Sequence, residues 1–255
     1  NVKDDTRQYV IVRSDGKYGA FDLHGKAILE VGHDSLSNDQ GFWKSTIGGK
    51  VALYSPDGKQ LTEHKYDAIR GFSGDLVKVL VNRKEGLINK AGKEIVPAEY
   101  DSVAISEQGN YVLLRRDWKS GMIDSQGREI CPMKYDSLGV MNEEVGLATA
   151  CIGDGEGYVD TEGREIIPLK YGRTNDFVLG FAEVEGHNMG QCGVINVKGE
   201  LVMPLQYTKV DLRSFVNEEL RIVKVYDEKK IGIFDLLNGT ELIAPKFAEV
   251  DKYSD

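Results

Sequence analysis

The hydrophobic residues of this 255-residue chain fall into many short segments rather than a few long ones. Segments such as YVIVR, LVKVLV and GYVD are rich in β-branched and aromatic residues, and turn residues separate them. Segments of this length and composition are typical of β-strands. No stretch of about 11 residues has the 3.6-residue apolar period of an amphipathic helix. The pattern therefore predicts an all-β protein with essentially no α-helix.

One pattern of positions occurs seven times, and GLINKAGKEIVPAEY (residues 86–100) is an example. A short strand, a tight turn, a second strand and a proline are followed by an aromatic residue. The turn glycines are Gly25, Gly58, Gly92, Gly127, Gly163, Gly199 and Gly239, with spacings of 33, 34, 35, 36, 36 and 40 residues. Eight residues after each glycine comes His33, Tyr66, Tyr100, Tyr135, Tyr171, Tyr207 or Phe247. Because several positions recur together, the chain is built of repeats.

Each shared position has a structural role that backbone chemistry predicts. The residue three before the turn glycine is Asp, Asn or Ser in six repeats, and its side chain can bond the backbone two residues on. The glycine supplies the positive φ that a tight hairpin requires. A proline five residues after the glycine, present in four repeats, is expected to end the second strand or to mark an edge strand. The aromatic residue is spaced to enter the core between neighbouring repeats.

The strands of each repeat predict the architecture. One strand precedes the hairpin and a shorter one follows the aromatic residue, which gives units at about 9–40, 41–75, 76–110, 111–144, 145–180, 181–219 and 220–255. No linker composition interrupts them, so we expect residues 1–255 to form a single all-β repeat domain. Seven units of four strands, with nearly complete terminal units, favour a compact seven-bladed β-propeller. A β-solenoid of stacked hairpins is the alternative, since ~35 residues is short for a propeller blade.

The segment GYVDTEGREIIPLKY (residues 157–171) resembles the WG-repeat family of bacterial proteins, and the resemblance covers nearly the whole chain. In that family a tryptophan usually precedes the glycine of the first strand. Here the preceding residues are Tyr18, Val51, Glu85, Ser120, Glu156, Cys192 and Ile231, so the tryptophan is missing while the turn, proline and tyrosine are kept. The resemblance implies an interaction module and supplies no catalytic residues.

Charge and hydropathy narrow the range of partners. The net charge is −9, and the acidic and basic residues are interleaved, whereas nucleic-acid binding needs a clustered basic surface. No apolar segment approaches the ~18 residues of a membrane span. We therefore expect no nucleic-acid partner and no membrane span. The first residues, NVKDDTRQ, lack the apolar segment of a signal peptide. The resemblance implies a bacterial protein, exported or in the cell envelope if a signal peptide was removed, and cytoplasmic otherwise.

Residues with catalytic or metal-binding chemistry are scattered along the chain. Cys131, Cys151 and Cys192 occupy different positions in different repeats and form no CxxC motif, so we expect buried free thiols. The four histidines lack metal-ligand spacing, and we expect them at surface or turn positions. The repeated turn aspartates and the segment GDGEG (residues 153–157) are explained by tight turns. We accordingly expect no enzyme, with no catalytic residues, no metal and no cofactor.

The candidate functional residues are those at positions that differ between the repeats. Trp118 lies beside Arg116 in the charged turn segment RRDWKSG, where an exposed aromatic ring could anchor a protein or stack on a sugar. Packing in the core is the alternative for Trp118, and it is the expectation for Trp43. Insertions at 185–191 and 211–219 lengthen the sixth repeat, and insertions often map to the binding face of a repeat array.

The candidate partner-binding residues are Trp118, Arg116, His187, Asn188, Arg213 and Phe215. We expect a non-catalytic interaction or scaffold module that binds a protein or glycan partner through them. The alternatives are an enzyme with an active site at the mouth of a propeller channel and a structural protein of the cell envelope.

Overall fold

The computed structural model describes residues 9–187, 190–212, 217–219 and 221–250. Within these ranges the chain forms 26 β-strands and no helix, which confirms the predicted all-β class. The described residues accordingly contain no helix long and apolar enough to cross a membrane. The chain divides into two compact units. Residues up to 103 together with 125–127 form the first unit, and residues 104–124 with those from 128 onward form the second.

The first unit contains three antiparallel sheets. Their strands are β1 (Tyr9–Ser14), β2 (Lys17–Asp22) and β3 (Ala27–His33); β4 (Ser35–Asp39), β5 (Phe42–Ile47) and β6 (Lys50–Tyr54); and β7 (Ala68–Ser73), β8 (Leu76–Val81), β9 (Lys84–Asn89) and β10 (Glu94–Tyr100). In each sheet the strands neighbour one another in chain order.

Four sheets of four strands follow. Their strands are β11 (Ser102–Ile105), β12 (Tyr111–Arg116), β13 (Lys119–Asp124) and β14 (Glu129–Tyr135); β15 (Ser137–Leu138), β16 (Leu147–Ile152), β17 (Gly155–Asp160) and β18 (Glu165–Tyr171); β19 (Arg173–Thr174), β20 (Phe181–Glu185), β21 (Cys192–Asn196) and β22 (Leu201–Tyr207); and β23 (Lys209–Asp211), β24 (Ile222–Asp227), β25 (Lys230–Asp235) and β26 (Thr240–Phe247). These sheets also keep chain order.

The seven sheets match the seven repeats, and each has the meander order of a propeller blade. The prediction of seven β-repeats is confirmed. The sheets are offset from the repeat units by one strand. The short strand after the repeat aromatic pairs with the first strand of the following repeat, as β15 does with β16 and β19 with β20. This offset joins consecutive repeats through backbone hydrogen bonds.

The predicted hairpin turn is confirmed in all seven repeats. The side-chain oxygen of the capping residue accepts backbone N–H bonds; in the third repeat Asn89 Oδ1 accepts from Ala91 N at 3.1 Å and Lys93 N at 2.9 Å. The same pair of bonds is made by Asp22, Asp160 and Asn196. Ser55 and Asp124 accept from the amide four residues on, and Asp235 accepts from the amides two and three residues on. Gly92 has a φ of 82°, a conformation that glycine adopts without a steric cost.

Of the two expectations for the proline, an edge strand is confirmed and the end of the strand is wrong. β18 continues through Pro168 to Tyr171 and is the edge strand of its sheet. Glu156 of β17 pairs with Tyr171 of β18, and Tyr158 pairs with Ile167, so two residue steps along β17 lie opposite four along β18. β18 therefore bulges next to Pro168. The bulge takes a residue that lacks an N–H out of the hydrogen-bond ladder. It also brings the backbone close to Gly157, where an added Cβ would lie 2.3 Å from the carbonyl oxygen of Ile167.

The repeat aromatics enter the core as predicted in most repeats. Tyr66, Tyr135, Tyr171 and Tyr207 are buried in separate hydrophobic clusters with the strands of their neighbours. Phe247 differs, with 44% of its surface exposed, since it ends the last described strand. Trp43, 1% exposed, packs in the core as expected.

Candidate functional site

Trp118 lies at the tip of the hairpin between β12 and β13, and 95% of its surface is exposed. The turn residues Asp117 and Trp118 both have positive φ, at 51° and 63°. A bulky residue pays a steric cost in this region, which the turn imposes on both central positions. The side chain therefore contributes no burial to the fold and occupies a backbone conformation that favours glycine or asparagine. The alternative prediction, that Trp118 packs in the core, is wrong.

The equivalent turn position in other repeats holds glycine or a charged residue. Gly16 and Gly49 occupy it in the first two repeats and Arg83 in the third, all with positive φ. Trp118 is thus the aromatic exception at a position that the fold itself fills with small or polar residues. We infer that its side chain is not required for folding.

A side-chain link joins the Trp118 turn to the turn of the next repeat. The ammonium group of Lys119 forms an ion pair with Asp136, the residue after the repeat tyrosine. The other carboxylate oxygen of Asp136 accepts a bond from Gly153 N at 2.8 Å. Gly153 opens the hairpin turn between β16 and β17, so the two turns lie side by side.

The same link occurs in three repeats of the first unit, always with a lysine 17 residues before an aspartate. The pairs are Lys17–Asp34, Lys50–Asp67 and Lys84–Asp101. Two of these aspartates also accept a backbone N–H from the following hairpin turn, from Gly48 and Asn82. Ion pairs this exposed add little stability each, so their main effect is to align successive turns.

The link is replaced in the fifth repeat, where both partners are glycine. Gly155 stands at the lysine position and Gly172 at the aspartate position. A cleft of about 360 Å³ lies there, between the turn at Gly153 and the segment Gly186–His187. A second cleft of about 540 Å³ shares Gly186 and His187 with the first. We call Arg116–Lys119, Asp136, Gly153–Asp154, Gly172 and Gly186–His187 the rim.

Acidic and thiol groups line the first cleft. The carboxylates are those of Asp154, Glu156 and Glu185. Glu156 accepts bonds from the backbone N of Thr174 at 2.7 Å and its hydroxyl at 3.0 Å, so this carboxylate also holds β19. Burial and the neighbouring carboxylates raise the pKa of the Cys151 thiol. A raised pKa keeps sulfur protonated at neutral pH and unsuited to nucleophilic attack.

A group of potential metal ligands lies near the cleft. One ligand atom each of Glu183, Glu185 and Cys192 lies within 4.8 Å of the others. Burial and a hydrogen bond with Glu183 raise the pKa of the Cys192 thiol to about 12, and burial raises the pKa of Glu183. These shifts favour the protonated forms of both groups. The Cys192 thiol also donates to the carbonyl oxygen of Thr208 at 3.6 Å.

His33 is buried at the end of β3 and departs from the surface or turn positions expected of the histidines, and half-buried His64 lies near it in a bend. The hydroxyl oxygen of Ser45, a fully buried residue, lies 2.5 Å from His33 Nδ1 and 3.0 Å from His64 Nε2. The ring of Tyr54 packs against both imidazoles. Burial lowers the pKa of His33 and of His64. The substitution of the repeat aromatic by His33 thus creates a polar network inside the core.

The structure brings three of the predicted partner-binding residues to the rim. Trp118 and Arg116 belong to one turn, with Arg116 paired to Lys119 across it, and exposed His187 lines both clefts. The other three, Asn188, Arg213 and Phe215, lie outside the described residues. The cysteines are free thiols as expected, with Cys131 and Cys192 buried and Cys151 half-buried.

Sequence reasoning missed the link between Lys119 and Asp136 and the acidic cleft that replaces it. The pattern was visible in the segments HDSL, YDAI, YDSV and YDSL, where an aspartate follows the repeat aromatic and a lysine stands 17 residues earlier. The loss of both residues at Gly155 and Gly172 was visible as well.

The meander sheets and their linked turns define a protein of β-repeats whose variable chemistry lies on the turns. A family model described as "WG containing repeat" matches residues 53–84, 86–113, 121–155 and 157–185. The chain is therefore a WG-repeat protein, as its turn, proline and tyrosine positions predicted. No curated protein is similar to it in sequence.

Several solved structures are similar to the chain at low sequence identity. A eukaryotic initiation factor has 10% identity and a TM-score of 0.42, with 91% of this chain and 71% of that chain covered. Hsv2 of Kluyvelomyces marxianus has 10% identity and a TM-score of 0.36, with 89% of each chain covered. The WD40 domain of Neurospora crassa Pan2 has 15% identity and a TM-score of 0.32, with 81% of this chain and 76% of that chain covered.

Proposed function

We propose that this WG-repeat protein is a non-catalytic interaction module that binds a protein partner through the rim of its second unit. The observation that carries the proposal is Trp118, which is 95% exposed in a left-handed turn conformation. A tryptophan so placed costs conformational energy and gains nothing from burial within this chain. Tryptophan is also among the residues that most often dominate the binding energy of protein interfaces.

The surroundings of Trp118 support a surface larger than one side chain. The link from Lys119 through Asp136 to Gly153 holds the turn of the next repeat beside the Trp118 turn. The first cleft lies between that next turn and His187. A rigid set of turns presents polar groups around one aromatic anchor, as binding loops on a β-scaffold do. The Cys151 thiol has a raised pKa and stays protonated at neutral pH, and Glu156 is engaged in holding Thr174.

Affinity capture with the immobilised chain tests the proposal. Trp118→Ala is compared with the original chain and with Leu237→Ala, a control that removes a hydrophobic side chain also exposed, at 60%, in a turn of the seventh repeat. We expect a protein that the original and the control retain and that Trp118→Ala loses. Calorimetry with that purified protein should show a loss of about 2 kcal/mol, roughly thirty-fold in Kd.

Two results would contradict the proposal. Equal retention by Trp118→Ala and the original chain would exclude Trp118 as the anchor. Binding of the chain to immobilised glycans, lost in Trp118→Ala while no protein is captured, would assign the same surface to sugars, since an exposed tryptophan also stacks on sugar rings.

A further inference from the structure

A recurring contact of the turn glycine joins consecutive repeats. A Cβ added at Gly239 would lie 3.3 Å from the carbonyl oxygen of Val202, the residue three after the turn glycine of the sixth repeat. The turn glycines of the second, third, fourth and fifth repeats approach the equivalent carbonyl oxygen of the preceding repeat, and Gly199 approaches the side chain of Ile167. Each of these turns therefore packs on the segment that follows the turn glycine of the repeat before it.

The first and seventh repeats each present one half of this contact without the other. In the described part of the chain, nothing lies within 4 Å of a Cβ added at Gly25. Leu242 is the counterpart of Val202, since it lies three residues after the turn glycine of the seventh repeat, and it is 51% exposed. The turn at Gly25 and the backbone at Leu242 are thus two matching halves of the contact that joins the other repeats.

The apolar surfaces beside these residues are uncovered as well. Between the sixth and seventh repeats, Val223 and Val225 of β24 belong to one cluster with Met203 of β22, and all three are completely buried. Their counterparts at the two ends include Val10 of β1, 48% exposed, and Ile243 of β26, 39% exposed. We call Val10, Val12, Arg13, Phe21, Gly25 and Ala27 the leading face, and Leu242, Ile243, Phe247, Glu249 and Val250 the trailing face.

The two faces match at a position that is polar in other repeats. Tyr207 donates a hydrogen bond from its hydroxyl to Glu241 Oε2 at 2.6 Å across the junction of the sixth and seventh repeats, and the fourth and fifth repeats make the same bond at 3.4 Å. Phe247 stands at the tyrosine position of the trailing face and Ala27 at the glutamate position of the leading face. Because both polar partners are absent together, contact between the faces would leave no hydrogen-bonding group unpaired at this position.

The strand edges match in register and in charge. β1 is the edge strand of its sheet, whereas each of the next six sheets adds a strand from the preceding repeat. In the sixth sheet that added strand pairs Arg173, two residues after the repeat tyrosine, with Glu185, the fifth residue of β20. The equivalent residues at the two ends are Glu249, two after Phe247, and Arg13, the fifth residue of β1. The charges are exchanged but still opposite, so addition of a strand there would bring attraction.

We propose that the trailing face of one copy of the chain binds the leading face of a second copy. The structure of a single chain leaves both faces uncovered, and their residues match as those of consecutive repeats do. In the contact, the segment 249–250 adds to the free edge of β1, Ile243 covers Val10, and Gly25 packs on the backbone at Leu242.

The two faces are different surfaces, so the contact is head-to-tail. A contact of this kind continues from copy to copy and builds a closed ring of copies or a filament. Neither face contains a residue of the rim. This inference therefore stands apart from the function proposed above, and Trp118→Ala should associate as the original chain does.

The mass of the full chain in solution tests the contact. Its weight-average mass, measured by light scattering over about a hundred-fold range of concentration, should rise above that of one chain. Ile243→Asp places a charge within the trailing face and should weaken association about ten-fold. Val197→Asp is the control, because Val197 is equally exposed and lies in a turn outside both faces. Equal association of these two variants would overturn the proposal.

Exchange of the charge pair separates a lost contact from a damaged fold. Arg13→Glu and Glu249→Arg each place like charges at the strand edge and should weaken association about five-fold. The double variant Arg13→Glu/Glu249→Arg should recover the association of the original chain. An equimolar mixture of the two single variants should recover it too, because each then meets an opposite charge on the other. Mixing would not repair a misfolded chain.

Three outcomes contradict the proposal. The mass of one chain at every concentration, with no increase in the mixture of single variants, would exclude a second copy. If the double variant also recovered a thermal stability that Arg13→Glu lowers, the two faces would bind within one chain instead. Loss of association in Trp118→Ala would assign the contact between copies to the rim.

Discussion

Gly86 in β9 allows a quantitative test of why the first strand of each repeat contains a glycine. A Cβ added there would lie 2.6 Å from Ala98 N, 2.7 Å from Ala98 Cα and 2.7 Å from Val96 O. All three are backbone atoms of the bulged strand β10, so no side-chain rotation can relieve the contacts. Gly86→Ala should therefore push β10 away from β9.

The size of the effect follows from these distances. Carbon atoms in proteins attract best at about 3.5–4.0 Å, so the new methyl group would be about 1 Å too close to three atoms. Overpacking of this kind typically costs about 1–3 kcal/mol, and fixed backbone atoms place Gly86→Ala near the upper end. Gly32→Ala is the matched control, because nothing lies within 4 Å of an added Cβ there and its φ is not positive. It should be neutral or stabilise the first unit by about 0.5 kcal/mol.

Urea unfolding followed by tryptophan fluorescence measures the difference. Trp43 is buried in the first unit and should change its emission on unfolding, whereas Trp118 is already exposed. With an m value of about 2 kcal/mol per molar urea, a loss of about 3 kcal/mol lowers the midpoint by about 1.5 M. Equal midpoints for Gly86→Ala and Gly32→Ala would refute the reasoning.

The second repeat supplies a natural comparison for this test. Ala52 stands at the position of Gly86 and is completely buried. The segment that would lie opposite it forms only isolated bridges, such as the one between Val51 and Tyr66, and has no bulged strand. Alanine is thus accommodated where the close backbone approach is absent.

The remaining predictions concern titration and the turn caps. His33 and His64 have lowered pKa values in the folded chain, so the unfolded chain binds their protons more readily, and stability should fall as pH drops below the unfolded value of about 6.5. Urea midpoints between pH 7.5 and 5.0 should decrease, and less steeply in His64→Gln; identical slopes would contradict a role for the histidine network. Asp160 caps its turn through Glu162 N and Arg164 N, both at 2.9 Å, and Asp160→Ala should destabilise by about 1–2 kcal/mol. Thermal unfolding checks this against Asp154→Ala, an exposed control that should have almost no effect.

Much of the local structure could be predicted because its causes lie within a few residues. The cap of Asn89 bonds amides two and four residues ahead, and the positive φ of Gly92 follows from its lack of a Cβ. The bulge at Pro168 was missed, since proline alone does not say whether a strand ends or continues as an edge. Only the pairing with β17 shows that the strand continues.

The candidate site was predicted in part. The sequence indicated an exposed binding role for Trp118 and a binding face at His187, because both residues lie where one repeat differs from the others. Their common position on the rim could not be predicted, because it depends on contacts of Asp136 with Lys119 in the same repeat and with Gly153 in the next. The acidic cleft likewise depends on Gly155 and Gly172, which replace the lysine and the aspartate of the link found in other repeats.

The sequence by itself determined the seven repeats, the β-strands and the hairpin turns, because these depend on short-range periodicity and on side chains that bond nearby backbone. Only the tertiary structure decided that each sheet after the first takes its first strand from the preceding repeat, and that Trp118 and His187 share one rim. Such contacts form between residues far apart in the chain, and their geometry depends on packing that no single repeat contains.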